Sequence, residues 1–191
     1  MQVRDLALVG VKEITPQRFG DARGFFVETY NEERFRDAGL LTTWVQDNHS
    51  YSADPYVLRG LHFQSEPFAQ DKLVRVLKGE IFDVAVDIRK GSPTYRQWVG
   101  LYLSADKGNQ ILVPKGFAHG FLTLTPHVEV AYKVSAPYAP DYDHNIRWDD
   151  PDLAINWPLE GHTPQLSGKD ARAPFLKDQM AGFTYQDNGV R

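Results

Sequence analysis

No cysteine occurs anywhere in the 191 residues. Disulfides and thiolate metal sites are therefore excluded, although that alone does not fix a compartment. A strong charge of either sign is missing too. The 21 Lys and Arg nearly balance the 25 Asp and Glu, for a formal net charge of −4. Neither nucleic acid nor an acidic membrane surface is expected as a main partner. A small anionic ligand is still compatible with a locally basic pocket. Long apolar runs are absent, and none approaches the roughly 20 residues of a membrane-spanning helix. The opening Met1-Gln2-Val3-Arg4-Asp5 leads into no apolar stretch of the secretory kind. A cytoplasmic protein is expected. Repeats, low-complexity tracts and linkers are lacking as well, so residues 1–191 read as a single domain, long enough for a sizeable core.

What the chain does have is aromatic side chains and short alternating segments. Phe, Tyr and Trp make up 13% of residues, a composition that favours strands and suits stacking on a flat ligand. In residues 81–88, Phe82, Val84, Val86 and Ile88 share one face of a strand, with Asp83 and Asp87 on the other. Residues 98–103 and 111–113 read as further strands. In 128–134 the pattern puts Tyr132 on the apolar side with Val128, Val130 and Val134, opposite Glu129 and Lys133. Turn signals separate these runs at Lys78-Gly79-Glu80, Lys90-Gly91-Ser92-Pro93 and Asp106-Lys107-Gly108-Asn109. Many short strands broken by turns predict an all-β sandwich or barrel. Helical patterning is weak. Asn31 caps a predicted short helix that Gly39 ends, and Ser167 caps another over 167–173. From Pro137 onward the chain reads as irregular structure packed over the sheet.

One stretch carries chemistry. Arg59-Gly60-Leu61-His62-Phe63-Gln64, with Lys72 eight residues on, gathers a guanidinium, an imidazole and an ammonium in an otherwise apolar β segment. Imidazole accepts a proton near neutral pH. A nearby ammonium can hold the negative charge such a transfer leaves behind. Pro114-Lys115-Gly116-Phe117-Ala118-His119-Gly120 and Ala131-Tyr132-Lys133 complete the pattern.

The spacing from Gly108 through Pro114-Lys115-Gly116 to His119 resembles the second cupin motif, and residues 72–79 resemble the end of the first. Cupins are small jelly-roll barrels. Where metal-binding cupins carry H-x-H and then a glutamate, this chain has His62-Phe63-Gln64 and Lys72. An ammonium beside a dication is unfavourable and too few strong ligands remain, so the resemblance points to a metal-free site. A narrower resemblance follows. Asp21-Ala22-Arg23-Gly24-Phe25-Phe26-Val27-Glu28, Gln46-Asp47-Asn48, Arg59 to Gln64, Asp71-Lys72-Leu73-Val74-Arg75, Ala118-His119-Gly120-Phe121, Ile146-Arg147-Trp148 and Leu166-Ser167-Gly168-Lys169-Asp170, in that order, resemble the dTDP-4-dehydrorhamnose 3,5-epimerases. That resemblance implies a cupin-type jelly roll with a few short peripheral helices, a homodimer that needs no cofactor, and dTDP-4-dehydro-6-deoxy-D-glucose as substrate.

The implied chemistry explains the residue types. C3 and C5 of the sugar flank the C4 ketone, so their protons are mildly acidic. Removal gives an enolate, and a proton returned to the opposite face inverts the centre. The resemblance makes His62 the base, Asp170 its orienting partner, Lys72 the support for the O4 anion and Tyr132 the acid. It also places Arg23, Glu28, Gln46, Asp47, Asn48, Arg59, His119, Asp143 and Lys169 on the nucleotide sugar. Arg23 and Arg59 suit phosphate oxygens, and Tyr138 is the aromatic for the thymine. Asp143 stands where the family usually has glutamate. A sister enzyme inverting only C3 or only C5 uses the same residues. A metal-dependent cupin oxygenase and a binding module without turnover are the competing classes.

Overall fold

The computed structural model describes residues 1–40, 43–179 and 182–186. Thirteen strands are found among them: β1 (Gln2–Asp5), β2 (Lys12–Thr15), β3 (Arg18–Asp21), β4 (Gly24–Val27), β5 (Gln46–Ser52), β6 (Leu58–Gln64), β7 (Lys72–Lys78), β8 (Glu80–Asp87), β9 (Trp98–Ser104), β10 (Gln110–Val113), β11 (Phe117–Thr123), β12 (Val128–Val134) and β13 (Asp143–Asn145). Two short α-helices are found among the same residues: α1 (Glu32–Asp37), where the Asn31 side chain accepts from the Arg34 amide, and α2 (Gly168–Ala171), where Ser167 does the same for Asp170. Single 3-10 turns lie at Pro140–Tyr142 and Leu176–Asp178.

Two antiparallel sheets build the barrel. One has the order β1-β2-β10-β7-β12-β5, the other β13-β6-β11-β8-β9, and β3 with β4 forms a separate hairpin. The expected all-β jelly roll is what the chain adopts. β13 falls in the segment read from sequence as irregular. It pairs Asp143, His144 and Asn145 with Gln64, Phe63 and His62. Three residues are too few for a visible alternation, so only the pairing reveals the strand.

Both faces of β8 are buried, for different reasons. Phe82, Val84, Val86 and Ile88 face outward, where Leu153, Trp157, Leu176 and Phe183 from the C-terminal segment roof them. Ile81 and Ala85 face inward and pack with Val74, Val76, Ile111, Phe117, Phe121 and Val130 between the sheets. The C-terminal segment therefore packs over the sheet as expected, and the most apolar face of β8 is the outside of the barrel. By the same alternation Asp83 and Asp87 face the interior, both fully buried.

β6 is pinched at Gly60. Its φ is +142°, and a Cβ there would lie 2.5 Å from the Gly120 Cα on β11. The β6–β11 register shifts at this point, between His119 and Phe121. A regular strand would put Arg59 and His62, three residues apart, on opposite faces. The irregularity brings both to the same cavity.

Candidate active site

The cavity lies between the two sheets and measures about 600 Å³. His62 and Arg59 reach it from β6 and His119 from β11, all on one sheet; Lys72 on β7 and Tyr132 on β12 reach it from the other. Ser167, Lys169 and Asp170 close one end through α2. A smaller compartment of about 210 Å³ shares His62, Lys72, Tyr132 and Lys169 and adds Gln46, Asn48, Gln64, Tyr138 and Asp143. The elongated space thus has its acid-base groups where the two parts meet.

His62 Nε2 lies 2.5 Å from Asp170 Oδ1. The imidazole is one-third exposed and the carboxylate 3%. Burial disfavours the charge on Asp170, but the hydrogen bond and charge of His62, the Ser167 hydroxyl and Lys169 outweigh it and hold the carboxyl below its ordinary range. Asp170 accepts from Ser167 Oγ at 2.9 Å through its other oxygen. The cap of α2 therefore also fixes the carboxylate that orients the histidine.

Lys72 is almost fully enclosed, with its Nζ 3.4 Å from the His62 carbonyl. Burial pushes its ammonium down to about 8, against the attraction of Asp143 and Asp83, while Lys169 adds to the lowering. Tyr132 is raised above the usual phenol range, by burial first and by Asp143, with Arg59 pulling the other way. A raised phenol stays protonated at neutral pH, as a proton donor must.

The residues expected to hold substrate divide into three groups. Arg59 is braced by Ser52 Oγ at 3.2 Å and the Tyr51 carbonyl at 2.9 Å, leaving its other N–H groups for the cavity. Lys169 and Tyr138 meet on Asp143, at 2.5 Å and 3.3 Å; the shorter Asp143 side chain still spans to both. Gln46 accepts from the Tyr138 amide at 3.0 Å and donates to Asn48 at 2.8 Å. Asp47, between them on β5, points the other way because side chains alternate along a strand. It is exposed and pairs with Lys133 at 2.9 Å on the outer face. Arg23 and Glu28 also lie outside the cavity of their own chain. Arg23 sits in the β3–β4 turn, 90% exposed and 2.5 Å from Asp21, and Glu28 pairs with Arg34 at 3.3 Å. Neither lines the cavity.

Sequence reading missed Asp83. Both its oxygens lie on His119 Nε2, at 2.9 and 3.0 Å, with the carboxylate fully buried. The available signal was a carboxylate in the middle of an apolar strand. Among the described residues no group of three or more His, Cys, Asp or Glu side chains is placed to hold a metal ion. No helix among them is long and apolar enough to cross a membrane.

The model of the family described as dTDP-4-dehydrorhamnose 3,5-epimerase matches residues 5–178. The chain belongs to this epimerase family. A dTDP-4-dehydrorhamnose 3,5-epimerase of Sinorhizobium fredii is 50% identical over 189 residues, covering 97% of this chain and 94% of the relative. Among solved structures, a dTDP-6-deoxy-D-glucose-3,5-epimerase of Legionella pneumophila in complex with dTDP-4-keto-L-rhamnose superposes with a TM-score of 0.92. It is 46% identical, with 97% and 98% of the two chains covered. The epimerase fold also extends to a 3'-monoepimerase from Streptomyces bikiniensis in complex with dTDP-quinovose, at 34% identity and a TM-score of 0.84, covering 90% of this chain and 86% of that one.

Proposed function

We propose that this epimerase converts dTDP-4-dehydro-6-deoxy-D-glucose to dTDP-4-dehydro-L-rhamnose by inverting C3 and C5, with its own side chains and no cofactor. The observation that carries the proposal is the arrangement of His62 and Tyr132 on facing sheets around one cavity, with Lys72 beside them. Inversion requires a proton to leave one face of a carbon and return to the other, which two groups on opposite walls can accomplish.

His62, oriented by Asp170, takes the proton next to the C4 ketone. Lys72 steadies the negative charge that develops on O4. Tyr132 gives a proton from the opposite side, and the cycle repeats at the second carbon. Arg59 takes phosphate oxygens of the diphosphate. Tyr138, 60% exposed at the rim of the smaller compartment, stacks on thymine, while Asp143, Lys169, Gln46, Asn48 and His119 hold the rest of the nucleotide sugar.

The enzyme acts as a homodimer in this reading, and the β3–β4 hairpin of one copy brings Arg23 and Glu28 to the other copy's pocket. The support is twofold: both residues lie outside their own cavity, and the same hairpin exposes Phe19, Phe25 and Phe26. A cytoplasmic site of action goes with the reading, since a charged nucleotide sugar does not cross a bilayer unaided.

Incubation with dTDP-4-dehydro-6-deoxy-D-glucose in heavy water, read by NMR, tests the double specificity. Deuterium at both C3 and C5 of the product is expected. Deuterium at one carbon alone would make the chain a monoepimerase.

A further inference from the structure

His62 and His119 are cross-strand neighbours on β6 and β11. Each has its own carboxylate: Asp170 for His62 and Asp83 for His119. The epimerase mechanism uses both members of the first pair, but of the second it uses only His119, as a substrate contact, and leaves Asp83 without a task. Asp83 is 0% exposed and His119 8%, yet the imidazole lines the cavity. No solvent reaches the carboxylate, so it is not a surface ion pair, and a carboxylate buried this deeply needs a partner that answers its charge.

From this geometry we infer that Asp83 is a positioning residue: it locks the His119 ring with Nε2–H turned into the protein and leaves Nδ1 to the nucleotide sugar. Both carboxylate oxygens can accept only from a protonated Nε2, so the neighbour selects the tautomer and the ring orientation together. Among the described residues Nδ1 takes no protein partner, which leaves it as the contact on the cavity side. The backbone makes the placement rigid. Asp83 pairs with Phe121 and His119 with Ala85 on adjacent strands, so the dyad is a diagonal pair within the β8–β11 ladder. The charge of Asp83 also favours the Lys72 ammonium, together with Asp143 and against Lys169. The inference rests on the epimerase reading only for its activity arm.

Two measurements test it. The first needs no substrate. In ¹⁵N-labelled protein at neutral pH, His119 is expected to carry its proton on Nε2, with a strongly hydrogen-bonded proton resonance. A ring protonated on Nδ1 alone would overturn the inference whatever the enzyme's activity. The second is a kinetic cycle at pH 6, below the range in which Lys72 titrates. Asp83→Asn is expected to lower kcat/KM roughly ten- to a hundredfold, on the scale seen when an orienting partner is removed, with the melting temperature held within a few degrees. In an Asp83→Asn/His119→Ala double variant the loss is expected to match His119→Ala alone within about twofold, because the carboxylate acts through the imidazole. Equal losses in both backgrounds, or an Asp83→Asn variant as active as the parent, would contradict it. A parent without epimerase activity would defeat the functional reading and leave the tautomer result standing.

Discussion

At the scale of single residues, Lys72 is the side chain on which stability and chemistry conflict. An enclosed ammonium whose proton is held only up to about pH 8, against 10.5 in an unfolded chain, disfavours the folded state. The cost is roughly 3 kcal/mol where the group is charged in both states. The sign is fixed by the downward shift. The cost is complete below pH 8 and disappears as pH rises toward 10.5, where the unfolded chain also loses its proton. Lys72→Met, which keeps the length and removes the charge, is therefore expected to raise the melting temperature at pH 7 by several degrees, with the difference fading by pH 10. The same variant is expected to lose two to three orders of magnitude in kcat, the scale of removing one donor to a developing oxyanion. A pH series of melting curves and a turnover assay check the two halves separately. In the parent enzyme kcat/KM is expected to fall above about pH 8, as the ammonium that answers O4 is lost.

At the scale of elements, the site depends on two departures from regular structure. One is the pinch at Gly60, which puts Arg59 and His62 on the same side of β6. A side chain there would meet the β11 backbone and would be strained at a positive φ besides. Gly60→Ala is expected to destabilise the fold by at least 2 kcal/mol in a denaturant titration and to cost activity beyond the loss of folded protein. The other is α2, a single turn whose cap, Ser167, also holds Asp170 against His62. These elements also show what could be read in advance. Strands β8, β9, β10 and β12 were legible because period-2 alternation and turn residues mark them. Both α-helices were legible because Asn31 and Ser167 are caps. β13 was not, because three residues show no period. The inward turn of Asp83 was hidden for a different reason. Alternation tells which residues share a face, but whether that face meets solvent or a second sheet is decided by what packs there. On β5 the motif Gln46-Asp47-Asn48 looked like one binding unit, yet alternation sends Asp47 to Lys133 on the outer face.

At the scale of the whole molecule, one chain supplies the acid-base groups but keeps Arg23 and Glu28 away from them. If the β3–β4 hairpin serves a second copy, two defective variants should repair one another. Arg23→Ala lacks only the hairpin's contribution and His62→Ala only the base. A mixed dimer then holds one pocket with an intact His62 and an intact incoming Arg23. Refolding the two variants together in equal amounts is expected to restore up to a quarter of the parent activity, well above the sum of the two alone. Activity equal to that sum would place the hairpin's function within its own chain or outside catalysis.

The central claim is that proton removal and proton return belong to different walls of the same cavity. Tyr132→Phe in heavy water tests it most directly, because it leaves the base in place and removes the proposed donor. The account predicts that recovered substrate gains deuterium next to the ketone with its configuration retained, while product formation falls by two or more orders of magnitude. Inversion at near-parental rate in this variant would contradict it.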